Sequence, residues 1–146
     1  MSFLNRRART STMKIKRIEH VAIAVKNLES SKKMLTDLFG LELEHEEQIN
    51  SVRLAMFPVG ESSLELLHSD DANTRTAKWV ENKGEGLFHI CFEVDDIAEA
   101  LRELKQKGAK LLNETPVTGH GNSQIAFIDP ESTSGFLVEL VQMPHA

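Results

Sequence analysis

Two short runs of the chain alternate apolar and polar positions in the same way. In "IEHVAIAV" (residues 18–25), Val21, Ile23 and Val25 fall on one face of a strand, and His20, Ala22 and Ala24 on the other. In "LFHICFEV" (87–94), Ile90, Phe92 and Val94 form one face, and His89, Cys91 and Glu93 the other. Superposing the runs places His20 on His89, 69 positions later (89 − 20). The apolar parity then matches throughout, which marks an internal repeat. A period of 3.6 follows each strand. Leu28 to Phe39 predicts a helix with Met34, Leu35 and Leu38 as its core stripe and Gly40 as its stop. Ile97 to Lys107 predicts a second, with Ile97, Ala100, Leu101 and Leu104 inward, Asp96 and Glu99 as a capping box and Gly108 as the stop.

Three strand-like segments come after each helix: 41–47, 52–59 and 62–68 in the first half, and 109–115, 123–130 and 135–142 in the second. Gly60, Pro116, "GHGN" at 119–122 and "DPESTSG" at 129–135 supply the turns. Each half therefore reads as strand, helix, three strands, an α+β pattern. The expected organisation is a single domain over 13–146, built from modules at about 15–69 and 85–146 with a linker at 70–84. Within the linker, Thr76 to Lys83 predicts a short helix with Trp79 as a packing anchor.

The last strand of each half carries an acid among leucines. Glu65 lies in "LELLH" and Glu139 in "LVELV", 74 positions apart (139 − 65). One such glutamate could alternate to the solvent side of an edge strand, and one histidine could be a buried imidazole with a satisfied hydrogen bond. Two of each at matched positions point instead to a shared site, since a carboxylate among leucines is costly to bury without a partner. Two neutral imidazoles and two carboxylates suit one divalent metal ion with open positions. Such a metal polarises a carbonyl oxygen and acidifies the proton on the adjacent carbon. One glutamate can then remove that proton, and the other, from the opposite half, lies across the substrate.

Composition narrows the setting. Of the 146 residues, 40% are hydrophobic and 27% charged, ordinary for a globular chain, and the net charge of −5 gives nucleic-acid binding no electrostatic support. No apolar run approaches membrane-spanning length. The single cysteine, Cys91, excludes an internal disulfide and fits a reducing, cytoplasmic setting. Residues 1–12, "MSFLNRRARTST", hold Arg6, Arg7 and Arg9 and no acid. They have the composition of a very short transit peptide or of an upstream start, and disorder is expected there. The "ELEHEEQ" run reads as a solvated strand face, and His45, His68 and His145 as exposed.

The stretches "IEHVAIAVKNLE", "GLELEHEE", "LELLH", "AKWVENKGEGLFHICFEVDDI", "QIAFIDPEST" and "GFLVELVQ" carry a family resemblance. Over residues 15–142 the chain resembles the vicinal oxygen chelate superfamily, which takes in glyoxalases and bleomycin-resistance proteins, and it is most similar to the methylmalonyl-CoA epimerase branch. The resemblance implies two βαβββ modules forming a curved mixed eight-stranded sheet around a metal site. It implies cobalt, zinc, manganese or nickel held by His20, Glu65, His89 and Glu139, usually in a homodimer. The implied reaction is epimerisation of methylmalonyl-CoA through an enolate, with Glu139 as one base. Some epimerases carry a further glutamate at the position aligned with Arg53; an arginine there cannot be a base, which leaves Glu65 or a metal-bound water for the second role. Relatives often have a lysine near Glu131, where a positive charge could meet coenzyme A phosphates. In "TGHGNSQ", His120 and Gly121 are candidate substrate contacts, with a solvated loop histidine as the plain alternative. A glyoxalase I-type lactoylglutathione lyase fits the same four ligands, and a non-catalytic antibiotic-binding protein is the third reading.

Overall fold

The computed structural model describes residues 13–144. Residues 1–12 and His145, and the expectations attached to them, lie outside the described residues. Strand β1 (Ile15–Ala24), helix α1 (Leu28–Phe39) and strands β2 (His45–Ile49), β3 (Val52–Val59) and β4 (Ser62–Ser69) form the first half. Helix α2 (Arg75–Lys83) follows. Strand β5 (Gly86–Val94), helix α3 (Ile97–Gln106) and strands β6 (Val117–Thr118), β7 (Gln124–Ile128) and β8 (Leu137–Gln142) form the second.

All eight strands join one curved mixed sheet in the order β2-β3-β4-β1-β5-β8-β7-β6. The order is the same read outward from its centre, so the sequence repeat is also a repeat in space. β1 and β5 meet antiparallel at that centre, with Val21 opposite Ile90. Each pairs on its other side with the last strand of its own half, in parallel: β1 with β4 and β5 with β8.

The helices form where their ends are satisfied. Asn27 caps α1 by accepting the Ser30 N–H, and Gly40 closes it at φ 68°. Asp96 caps α3 by accepting the Glu99 N–H at 3.0 Å, while the Glu99 carboxylate turns to Arg102, so half of the expected box forms. Helix α3 buries Ile97, Ala100 and Leu101 against Val94, Ala126, Ile128, Val138 and Leu140. Helix α1 buries Leu28 and Leu35 with Val25, Ala55, Phe57 and Leu66. Met34 and Leu38 depart from the expected stripe, at 40% and 70% exposure. Twelve residues crossing a strongly curved sheet touch it over a narrow band, and Leu28 and Leu35 fill that band. On the opposite face of the sheet, Ala22, Ala24, Leu54, Met56, Leu67, Phe88 and Leu137 form a third cluster. Trp79 of α2 packs there, tilted on Phe88 at 5.2 Å and donating its indole N–H to the Leu87 carbonyl.

Two expected strands differ. The strand placed at 41–47 begins later, at His45. The strand placed at 109–115 does not form. Leu111 makes an isolated bridge to Ile128, and the Asn113 side chain accepts the Phe127 N–H that a continuous ladder would use. Pro116, which has no N–H to give, precedes the two-residue β6.

Candidate active site

Twin strands bring the four candidate residues into one place. His20 and His89 sit on β1 and β5 at the centre of the sheet, and Glu65 and Glu139 on the flanking β4 and β8. All four are buried, His20 completely. The Nε2 atoms of the two imidazoles lie 3.1 Å apart. Glu139 Oε1 is 2.9 Å from each of them, and Glu65 Oε1 is 3.3 Å from His20 Nε2 and 3.8 Å from His89 Nε2. Although it is this close to two ring nitrogens, Glu139 Oε1 is buried without an aligned hydrogen bond.

These spacings fit a metal centre. Ligands about 2.1 Å from an ion stand about 3.0 Å apart at the adjacent corners of an octahedron and about 3.4 Å apart in a tetrahedron. Four of the five measured edges lie in or close to that range. A buried carboxylate oxygen without a hydrogen bond, beside two ring nitrogens, is what a metal-ligand set without its ion leaves behind. The Nδ1 of His20 contacts Glu19 Oε1 at 2.5 Å. With its proton on Nδ1, His20 turns the lone pair of Nε2 to the site, the orienting contact expected behind a ligating histidine. Cys91 also lies within ligand reach of His20 and Glu139, but burial pushes its thiol well above the ordinary range, so it stays protonated.

Glu19 was not apparent from alternation, because it sits at an irregularity. On β1, Ile18 pairs with Phe92 and His20 with Cys91, so two steps on β1 oppose one on β5. Glu19 is the extra residue of this bulge, and the bulge puts it on the same side as its neighbour His20. Burial raises the Glu19 carboxyl, but the contacts with His120 and His20 more than reverse that, to about 2. It is therefore ionised throughout the neutral range. Glu19→Gln removes that charge and is expected to weaken metal affinity by about 10–100-fold with little change in fold, measured by competition with a chromogenic chelator. Unchanged affinity would show that Glu19 does not support His20.

His120 is not a solvated loop histidine. It is buried, its ring meets His20 edge-on at 5.2 Å, and its Nε2 lies 3.2 Å from Glu19 Oε1. Gly121, the other candidate contact, takes φ 59° and gives its N–H to Glu47, tying the loop to β2. Glu47 thus leaves the solvated face expected for "ELEHEEQ". His68 is only partly exposed, with Nδ1 3.0 Å from the Val25 carbonyl; His45 is exposed as expected. Arg53 alternates away from the site to meet Glu29 at 3.1 Å, while its neighbours Val52 and Leu54 face inward. Position 53 therefore directs its side chain outside the site. Glu131 pairs with Lys110 at the surface, 2.6 Å away.

A cavity of about 330 Å³ opens beside the cluster. Glu65, His89 and Glu139 form part of its wall, with His120 on one side and Phe88, Phe127, Ile125 and Leu67 supplying apolar surface. Arg75, from the first turn of α2, completes the lining; no feature of the linker had drawn attention to it.

Residues 19–127 match the Glyoxalase/Bleomycin resistance protein/Dioxygenase superfamily. The chain belongs to that superfamily. It is 34% identical to an ethylmalonyl-CoA/methylmalonyl-CoA epimerase of Cereibacter sphaeroides, covering 88% of this chain and 99% of the relative. It is 30% identical to a lactoylglutathione lyase of Neisseria meningitidis, covering 86% and 90%. Among solved structures, the methylmalonyl-CoA epimerase of Mycobacterium tuberculosis superposes with a TM-score of 0.88 at 30% identity, covering 96% of each chain. The α+β architecture of this superfamily member is that of the epimerase structure.

Proposed function

We propose that the protein is a metal-dependent epimerase acting on the carbon next to a thioester carbonyl, with methylmalonyl-CoA as its substrate. The observation that carries this reading is the convergence of His20, His89, Glu65 and Glu139 from twin strands beside a cavity that the last three line. The likeness to methylmalonyl-CoA epimerases supports the choice of thioester.

The four side chains would hold one divalent ion, of the cobalt, zinc, manganese or nickel kind. Bound there, the ion would supply Lewis-acid polarisation of the thioester carbonyl, which acidifies the α-proton. Glu139 accepts that proton from one side. Glu65, on the other half of the sheet, would return a proton on the opposite side after leaving the ion, which inverts the carbon. Their environments suit those parts. Burial raises Glu65, with His20 opposing and the nearby Glu139 charge adding to it, so that away from the ion Glu65 holds a proton more firmly than an ordinary carboxyl. Burial also acts on Glu139, but His89 and His20 outweigh it and keep that carboxyl well below the ordinary range, ready to accept. Leu67, Phe88, Ile125 and Phe127 give the cavity apolar surface against which the acyl group would pack. A homodimer in a cytoplasmic compartment completes the reading. No described helix is long and apolar enough to cross a membrane.

The test is deuterium wash-in from solvent at the α-carbon of methylmalonyl-CoA, followed by NMR with metal-loaded protein. Exchange together with interconversion of the two configurations is expected. No exchange, or turnover of a glutathione hemithioacetal in its place, overturns the assignment.

Metal loading should also be linked to protons. Burial pushes the His20 imidazole down, but the Glu65 charge and the contacts with Cys91, Glu139 and Glu19 carry it well above its ordinary value. An ion needs the neutral ring, so binding displaces a proton. Affinity should rise by about tenfold per pH unit across the neutral range while one proton is displaced. Calorimetry in buffers of different ionisation enthalpy checks this; a pH-independent affinity without proton release would contradict it.

A further inference from the structure

The described arginines differ in one respect. Arg17 pairs with Glu93, Arg53 with Glu29 and Arg102 with Glu99. Arg75 forms no ion pair with a carboxylate among the described residues. Its guanidinium lies over the Phe127 ring, 4.7 Å from the centroid, and Phe127 in turn meets His89 edge-on at 5.2 Å. A guanidinium over an aromatic face is attracted by the ring without spending its N–H donors on a carboxylate. It lines the same cavity as Glu65, His89 and Glu139. Its backbone is fixed at the start of α2, where Thr74 caps the helix by accepting the Ala77 N–H. Arg75 is exposed overall, which leaves its guanidinium open to a ligand; the part of it that the cavity covers lowers its basicity, and the Glu139 charge opposes that.

We propose that Arg75 is the specificity residue of the site, binding the free carboxylate of an acyl thioester whose α-carbon lies beside the His/Glu cluster. This rests on the epimerase reading above and deepens it: it assigns to Arg75 the recognition of the carboxylate that the substrate carries on its reacting carbon. A guanidinium fork accepts that group through two parallel charge-assisted hydrogen bonds, which fixes the orientation of the carbon as well as its identity. The residue also touches an outer groove lined by Lys78, Trp79 and Lys83. Phosphates of the carrier would meet the lysines of that groove, whereas the Phe127 side of Arg75 faces the acyl end of the cavity.

The test compares the affinities of methylmalonyl-CoA and propionyl-CoA, which differ by the carboxylate, for the cobalt-loaded full chain and its Arg75→Gln variant. In the unaltered protein the carboxylate should strengthen binding. In Arg75→Gln that preference should shrink by roughly tenfold or more, with propionyl-CoA affinity unchanged, as loss of a hydrogen bond to a charged group implies. Arg75→Lys should restore part of the preference, since it returns the charge without the fork. The unchanged propionyl-CoA affinity also shows that the variant folds. A preference that survives in Arg75→Gln overturns the proposal. So does equal weakening of both ligands, which would place Arg75 on the coenzyme A phosphates. If the protein binds with this Arg75-dependent preference but catalyses no α-proton exchange, the epimerase reading falls and the carboxylate site stands.

Discussion

Glu139→Gln should lower kcat/KM for epimerisation by about 10²–10⁴-fold and remove solvent deuterium incorporation at the α-carbon. Glutamine preserves the shape of the side chain and leaves an amide oxygen near the two Nε2 atoms, but it cannot take up a proton at neutral pH. The variant also loses the negative charge that lies 2.9 Å from both imidazoles. Metal affinity should therefore fall, so the comparison is made at saturating metal, with bound metal measured on the same samples. Rates that stay low when the site is full assign the loss to proton transfer. Rates that recover with added metal would make Glu139 a ligand and nothing more. Glu139→Gln with unaltered exchange would remove it from the reaction.

Phe57→Ala should cost about 3–5 kcal/mol, the largest stability loss expected from any single truncation in the sheet. Phe57 is fully buried and is the largest side chain of the cluster between α1 and the first half of the sheet. Its neighbours include Leu66, the residue after Glu65. On β3 its side chain points to α1, while the adjacent Met56 points to the cavity side. Removing the ring empties space next to the strand that holds Glu65 without touching the site. For a domain of this size the loss corresponds to a fall in Tm on the order of 10 °C, read by calorimetry. Metal stoichiometry below the transition should be retained. A change under about 1 kcal/mol would mean that α1 collapses onto the sheet and refills the space.

The fold and the centre of the site were legible in the sequence because both rest on periodicity. A period of two puts His20 and His89 on one face, and the repeat pairs each with the acid of its own half. Reading failed wherever the physics was not periodic. Glu19 joins the site through a bulge, and a one-residue insertion in a ladder leaves no trace in an alternating pattern. His120 is buried by a loop whose glycines and asparagine look like solvent-facing turn chemistry, and the Gly121 N–H to Glu47 contact that pins the loop joins residues 74 positions apart. Arg75 lay unnoticed in a polar linker, since one arginine among charged neighbours has no pattern to break. On α1, the apolar spacing of Met34 and Leu38 was real, but how wide a band the curved sheet covers depends on tertiary contact alone. The strand at 109–115 was lost to a side-chain amide that took a ladder position.

The seam between β1 and β5 has a mechanical consequence. Each histidine enters on one side of it, and each glutamate hangs from the strand just beyond. A break in the exposed turn before Thr74 would divide the polypeptide into two pieces, each carrying one imidazole and one acid. Either piece alone would offer an ion a bidentate clasp open to solvent. Annealing along the seam would complete the enclosure, so a cation held by the four side chains would act as a rivet between the two pieces.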